Sequence, residues 1–172
     1  MRTNEEITET YRQYADMLYR ICYAYLKNSA DTEDAVQDIF VKLILHEKKG
    51  KEFESKENEK AWLILTAGNL CKDRLRNRWR TSANIDDYSN SLCFSAPEFE
   101  PDETLAAVFA LPKKYKTAVY MYYYEGYSGE EIAKILKKPH STIRNHLSEA
   151  RKLLKKKLGG RSGNLGALEV VK

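Results

Sequence analysis

Residues 127–158, YSGEEIAKILKKPHSTIRNHLSEARKLLKKKL, decide how the chain folds. Their spacing predicts a helix, a tight turn and a longer second helix. Ser128 and Glu131 have the S-x-x-E spacing of a capping box, which starts a helix by satisfying two orphan amides together. Ile132, Ala133, Ile135 and Leu136 then make one apolar face at helical spacing. Pro139 cannot continue that helix, because its ring removes a donor and clashes with the preceding turn. Ser141 is placed to cap the second helix, where Ile143, Leu147, Ala150, Leu154 and Leu158 recur every three or four residues. The opposite face carries Arg144, Asn145, Ser148, Arg151, Lys152, Lys155 and Lys156. A short polar helix start followed by a basic body suits a helix lying in the major groove of DNA. The bland alternative for the same residues is a surface αα-hairpin with a solvated basic face.

The charge pattern around this stretch is more informative than the net +4 of the 172 residues. Residues 1–57 carry a net −3, 58–80 a net +4, 81–111 a net −6 and 112–158 a net +8. Two basic blocks separated by an acidic one are what two nucleic-acid contacts joined by a non-binding linker would produce. Apolar content of 42% is enough for packed cores, and the length allows one domain or two small ones. No run approaches the ~18 apolar residues of a membrane span. The polar start, Arg2 to Glu6, lacks an apolar signal core, so a cytoplasmic protein is expected. Cys22, Cys71 and Cys93 lack metal-ligand spacing and read as idle or buried thiols.

Toward the N-terminus, residues 5–27 predict a first helix with Ile7, Tyr11, Tyr14, Leu18, Ile21 and Tyr25 on one stripe. Residues 28–30 break it, and Asp31 can cap a second helix with Glu33 and Asp34 in its first turn. Val36, Ile39, Phe40, Leu43 and Ile44 form the apolar face of that helix, leaving Asp34, Gln37, Asp38 and Val41 on another. Residues 47–58, EKKGKEFESKEN, read as a loop. A third helix follows over 59–80, with Trp62, Leu63, Thr66, Leu70 and Cys71 as its buried side. Its second half interleaves Lys72, Arg74, Arg76, Arg78 and Arg80 with Asn77 and Trp79, a composition suited to phosphate and base contact. Residues 81–102 have five acidic and no basic residues and two prolines, the composition of a flexible linker, although Tyr88, Phe94 and Phe99 are unusual in one. A short helix over 102–110 leads to Pro112, which suits the first turn of a helix over 113–125 that Gly126 ends. The glycine-rich residues 159–172 read as a mobile tail. The expected fold class is therefore all-α: two small helical domains joined by a flexible linker, the C-terminal one a helix-turn-helix domain.

Four stretches together resemble a known family: DTEDAVQDIFVKLI from Asp31, KAWLILTAGNLCKDRLRNR from Lys60, LPKKYKTAVYMYYYEGYSGEEIAKIL from Leu111 and KPHSTIRNHLSEARKLLKKKL from Lys138. Their order is similar to that of the small bacterial RNA polymerase sigma factors of the extracytoplasmic-function (ECF) group. The resemblance implies residues 1–80 as the domain that binds core polymerase and reads and melts the −10 element. It implies 81–102 as the linker and 103–158 as the −35-reading domain. It gives Asp34, Gln37 and Asp38 to the core polymerase surface, with Phe40 packed inside. It makes the loop 47–58 a specificity loop for a base flipped from the −10 element, with Phe53 and Asn58 as candidates. Asn69 and Arg76 would face the −10 DNA, with Lys72, Arg78 and Arg80 on phosphates, and Trp62 is expected in the core. In the last stretch, His140, Ser141 and Thr142 would meet phosphate at the helix start. Arg144, Asn145 and Ser148 would reach base edges, and Arg151, Lys152 and Lys155 would hold the backbone. Implied partners are core RNA polymerase, promoter DNA and an anti-sigma factor.

HSTIRNHLSEARK also resembles the recognition helix of LuxR-type activators, so a stand-alone helix-turn-helix activator is the alternative. Those activators lack the D-x-x-Q-D helix and the basic helix after it. No paired-carboxylate site, Gly-rich phosphate loop or nucleophile–base arrangement is visible, and His46, His140 and His146 share no ligand pattern, so no catalysis, cofactor or metal is expected.

Overall fold

The computed structural model describes residues 2–82 and 101–159. Most of the expected linker, with Tyr88, Cys93, Phe94 and Phe99, and nearly all of the expected tail lie outside the described residues. Seven helices and no strand occur among those described. The chain divides into two compact units, Met1–Phe99 and Glu100–Lys172.

The first unit packs α1 (Asn4–Leu26), α2 (Ser29–Lys48) and α3 (Lys56–Ser82) against one another in all three pairings. A capping box opens α1: Glu6 N–H donates to Thr3 Oγ1 and Thr3 N–H donates to Glu6 Oε2. Tyr14, Leu18, Ile21 and Tyr25 are buried as their spacing predicts, whereas Tyr11 lies at the edge with its ring 4.9 Å from that of Phe40. The break before α2 is shorter than expected. Lys27 takes a left-handed conformation (φ 52°) to close α1, and Asn28, not Asp31, caps α2 by accepting from Asp31 N–H at 2.9 Å. Asp31, rather than Glu33 and Asp34, then supplies the carboxylate of the first turn. Helix α3 also starts early. Ser55 accepts from Asn58 N–H through its hydroxyl and from Glu59 N–H through its carbonyl, so Asn58 belongs to the first turn of α3 and not to the loop.

The buried side of α3 is Leu63, Ile64, Ala67 and Cys71, rotated from the expected one. Trp62, Thr66 and Leu70 are only half-buried. Core placement of Trp62 is thereby corrected: Leu63 and Ile64 are the fully buried residues of this turn, and the half-buried indole lies against His46 and Phe53. Cys71 meets Cys22 of α1 in the core, and this neighbour, together with burial, pushes the Cys22 thiol well above its ordinary range. A protonated thiol pair is an inert packing element, in line with the reading of these cysteines.

The second unit comprises α4 (Glu103–Phe109), α5 (Lys113–Tyr123), α6 (Gly129–Leu136) and α7 (His140–Lys157). Asp102 caps α4 by accepting from Leu105 N–H at 2.7 Å. Helix α5 touches α4, α6 and α7, and its residues Tyr115 to Met121 are all buried. It ends at Tyr123, two residues before the expected boundary. Gly126 adopts φ 73° and Tyr127 N–H returns to Met121 carbonyl at 3.1 Å, so the left-handed stop falls where the glycine places it.

The capping box at Ser128 and Glu131 is present in both directions. These bonds hold the exposed Glu131 carboxyl below the usual carboxylate range. Ser128→Ala should cost about 1 kcal/mol of unit stability, read as a lowered denaturation midpoint with unchanged slope. Lys137 (φ 51°) ends α6 ahead of Pro139, with Lys138 N–H donating to Ala133 carbonyl. Pro139, not Ser141, is the N-cap of α7, and no side chain caps that terminus. The fixed backbone of proline already has the cap geometry (φ −56°, ψ 141°), and its carbonyl accepts from Ile143 N–H. Ser141 therefore sits inside the first turn.

Candidate nucleic-acid interface

Helix α7 separates its residues cleanly. Ile143, Leu147, Ala150 and Leu154 are buried against the rest of the second unit. Arg144, Asn145, Ser148, Arg151, Lys152 and Lys155 are all exposed on the opposite side. At roughly 100° per residue these six and Ser141 share an arc of about 120°. The uncapped terminus presents backbone N–H groups beside Ser141 and the half-buried Thr142, the arrangement that receives phosphate at helix starts. His140 is exposed, but its ring lies over the start of α6, where a Cβ on Gly129 would come within 3.2 Å of Nε2. Arg151 Nε donates to Tyr123 Oη at 3.3 Å, which braces that side chain on α5. Lys152 pairs with Glu149 at 2.9 Å, which raises the lysine and lowers the glutamate from their ordinary values. Both are exposed, so the pair is weak and exchangeable for a phosphate.

Helix α3 presents two polar sides with different partners. Arg74 turns toward α2, pairing with Asp38 and donating to Asp31 carbonyl, and Arg78 pairs with Asp31 carboxylate at 2.6 Å. Asn69, Lys72, Arg76 and Arg80 lie on the other side, within about 80° of one another at ~100° per residue. Of the expected −10 residues, Arg78 is thus separated from the group and held by an acid of α2. Arg76 pairs with Asp73 one turn away, at 2.6 Å and largely in solvent.

The N-terminal half of α3 and the end of α2 enclose an open cleft of about 430 Å³. Trp62, Thr66, Asn69 and Leu70 line it from α3, and Lys42, Leu45 and His46 from α2, with Lys49 and Lys51 at the rim. His46 stacks on Phe53 (centroids 4.9 Å, planes 13° apart) and meets Trp62 at 4.8 Å. Phe53 therefore belongs to a three-ring cluster behind His46 and Trp62 instead of projecting freely from the loop, and neither Phe53 nor Asn58 is among the residues lining the cleft. His46 and the rim lysines escaped the sequence reading because only the packing of α2 on α3 brings them together.

On α2, Asp34, Gln37 and Asp38 are exposed and Phe40 is buried. Val41 and Leu45, 53% and 49% exposed, continue that side toward the cleft. The spacing of Asp34, Asp38, Val41 and Leu45 keeps them on one stripe, an acidic start with an apolar end. Among the described residues no cluster of side chains could hold a metal, and no helix is long and apolar enough to cross a membrane.

Two helical units, one built around a helix-turn-helix and the other carrying an exposed basic helix, define a class of DNA-binding transcription protein. Comparison with known proteins narrows it. The family model of sigma-70 region 2 matches residues 10–81, and that of sigma-70 region 4 matches residues 102–154. The chain belongs to the sigma-70 family, in its ECF group. It is 26% identical over 161 residues to the ECF RNA polymerase sigma factor SigW of Bacillus subtilis, covering 84% of each chain. It is 26% identical to SigM of the same bacterium, covering 87% of this chain and 93% of that one. SigE of Mycolicibacterium smegmatis is 29% identical, and the match spans 59% of its length. The fold is shared with the sigma factor RpoE of Bartonella quintana, solved with the anti-sigma factor NepR: the TM-score is 0.71, identity 22%, and coverage 91% of this chain and 99% of that one. The region 2 match removes the stand-alone activator alternative, since it accounts for the N-terminal half.

Proposed function

We propose that this chain carries core RNA polymerase to promoters, reading the −35 element with α7 and opening the −10 element along α3. The observation that carries this reading is that two separate compact units each present an exposed polar and basic helix side, in the order of region 2 and region 4. Residues 1–80 take the polymerase and −10 roles, and 103–158 the −35 role. Asp34, Gln37 and Asp38 meet the polymerase, extended by Val41 and Leu45. Asn69, Lys72, Arg76 and Arg80 meet −10 DNA, while Arg78 must first leave Asp31. The cleft beside Trp62 is the place for an extruded base, since its aromatic wall offers stacking and Asn69 offers an amide. The protein performs no covalent chemistry; it acts inside the cell, where the polymerase is. An anti-sigma factor that holds it until an envelope or other stress is a further partner, supported by the complex in which RpoE of Bartonella quintana was solved.

Run-off transcription from genomic promoters, by core polymerase with and without the chain, tests the reading. Promoter-dependent transcripts should require the chain, and their 5′ ends should share two spaced elements. Absence of such transcripts overturns it. Arg144→Ala should relax sequence choice at one −35 position by about 1–3 kcal/mol, measured as affinities for single-base variants. Lys155→Ala should weaken all variants alike and reduce the salt slope by about one unit. For polymerase binding, Asp34→Arg is a cleaner probe than Asp38→Arg, because reversal at Asp38 would also place two cations together at Arg74. Asp34→Arg should weaken core binding in a pull-down while the helical signal is unchanged.

A further inference from the structure

The histidine beside the cleft carries a polar atom that the fold leaves without a partner. His46 Nδ1 is buried and meets no hydrogen-bond partner among the described residues. Buried polar atoms are nearly always satisfied, so an orphan calls for an explanation. Of the two ring nitrogens only Nδ1 is shut away like this, and among the described residues no hydrogen bond engages Nε2. The faces of the ring are taken. Phe53 stacks on it with centroids 4.9 Å apart, and Trp62 meets it at 4.8 Å with the planes 48° apart. What His46 still offers the cleft it lines is its Nε2 edge. Neutral imidazole carries one N–H, and its place follows from what each nitrogen can meet. A buried N–H without an acceptor is rarer than a buried acceptor without a donor. The N–H therefore sits on Nε2, and Nδ1 keeps its lone pair. Protonating the ring would add an N–H at Nδ1 and leave the other in place, so the open edge donates in either form.

The rest of the cleft does not offset this donor. Lys42, Lys49 and Lys51 bring only donors. Asp73, the one carboxylate among the lining residues, is already paired with Arg76 at 2.6 Å. Asn69 and Thr66 carry both a donor and an acceptor, so they adapt to any base edge. The imidazole, held against two rings, is the polar group with least freedom to turn away. Thymine and guanine present a carbonyl oxygen where cytosine and adenine present an amino group. We infer that His46 selects a keto base, thymine or guanine, for the cleft by donating from Nε2 to its carbonyl oxygen. An amino base would turn a donor toward a donor and leave both unpaired. This selection rests on the promoter reading proposed above, in which the cleft receives an extruded base.

The test uses the full chain bound to core polymerase and single-stranded −10 oligonucleotides, their sequence taken from the mapped 5′ ends. Each position carries the four bases in turn. At one position a keto base should bind about tenfold more tightly than either amino base, the worth of one hydrogen bond over an unpaired polar group. Removing the carbonyl alone, with 2-aminopurine for guanine or 5-methyl-2-pyrimidinone for thymine, should lose the same factor. His46→Phe keeps a ring against Phe53 and Trp62 and deletes the donor. It should bind the keto base and its carbonyl-free analogue alike, while core binding and the preferences at other positions persist. A His46→Phe chain that retains every base preference of the parent overturns the inference, by giving the choice to another residue. So does a lost preference that was for adenine or cytosine. An equal loss on all four bases also overturns it, by making the histidine a structural part of the cleft. If the parent chain with core binds no −10 strand, the promoter reading itself falls and the selection with it.

Discussion

Ile143→Ala should weaken −35 recognition strongly while leaving polymerase binding intact. Ile143 is fully buried as the first apolar residue of α7, next to the residues that face DNA. Truncating a buried isoleucine to alanine costs about 2–5 kcal/mol, through lost transfer energy and the cavity left behind. The described part of the second unit spans residues 101–159, and a domain of that size holds only about 3–9 kcal/mol in total. A large share of its stability therefore rests on this one side chain. In the full chain, hydrogen exchange should accelerate in peptides from 113–158 and stay unchanged in peptides from 4–82. Affinity for −35 duplex should fall with it. Ile143→Val, which removes one methyl, should cost about 1 kcal/mol and keep recognition. Uniform acceleration across both units would show that they unfold together and would defeat the prediction.

Arg2→Ala should destabilise the first unit through a group far away in sequence. Arg2 donates to Glu59 at 2.6 Å and to Thr10 at 2.9 Å, and pairs with Glu47 at 3.0 Å. It thus joins the start of α1, the end of α2 and the start of α3. Glu59 is only 6% exposed, so removing the guanidinium strands a carboxylate in the interior. Breaking a fully buried pair costs about 3–5 kcal/mol, and the partial exposure of Arg2 reduces this to about 2. For a unit of this size the melting temperature should fall by about 10 °C. The hydrogen bond to Glu59, followed by the surrounding carboxylates, raises the guanidinium above its ordinary value, so the arginine stays charged across the working pH range. Adding Glu59→Gln to Arg2→Ala should recover much of the loss, because the stranded charge disappears. A double variant no more stable than Arg2→Ala would mean that packing of the arginine stem, and not the ion pair, holds the three helices.

Several features were legible without any fold. The stripe Tyr14, Leu18, Ile21, Tyr25 and the stripe Ile143, Leu147, Ala150, Leu154 are buried because helical periodicity is a local property. The capping box at Ser128 and the glycine stop at Gly126 are equally local, formed by residues within one or two turns. The α7 surface from Arg144 to Lys155 was readable for the same reason, since one buried stripe determines its opposite. Helix starts were less legible. Asn28 and Asp31 are both good caps, and only the observed bond from Asp31 N–H to Asn28 selects between them.

The chain by itself determined two all-α units, a helix-turn-helix in the second, and a basic helix in the first. What it misplaced lay on α3, whose inside was set one step away from the observed one and whose five cations alternate with Asp73, Leu75, Asn77 and Trp79 over a stretch too regular to show an inside. Tertiary structure decided that division. Asp31 and Asp38 on α2 take Arg78 and Arg74, partners 47 and 36 positions away, and thereby turn Lys72, Arg76, Trp79 and Arg80 outward. The same packing rolled Trp62 out of the core to meet His46 and Phe53 beside the cleft. Periodicity states which residues share a side of a helix, but which side faces a neighbour depends on the shape and charge of that neighbour, and these exist only once the helices have packed.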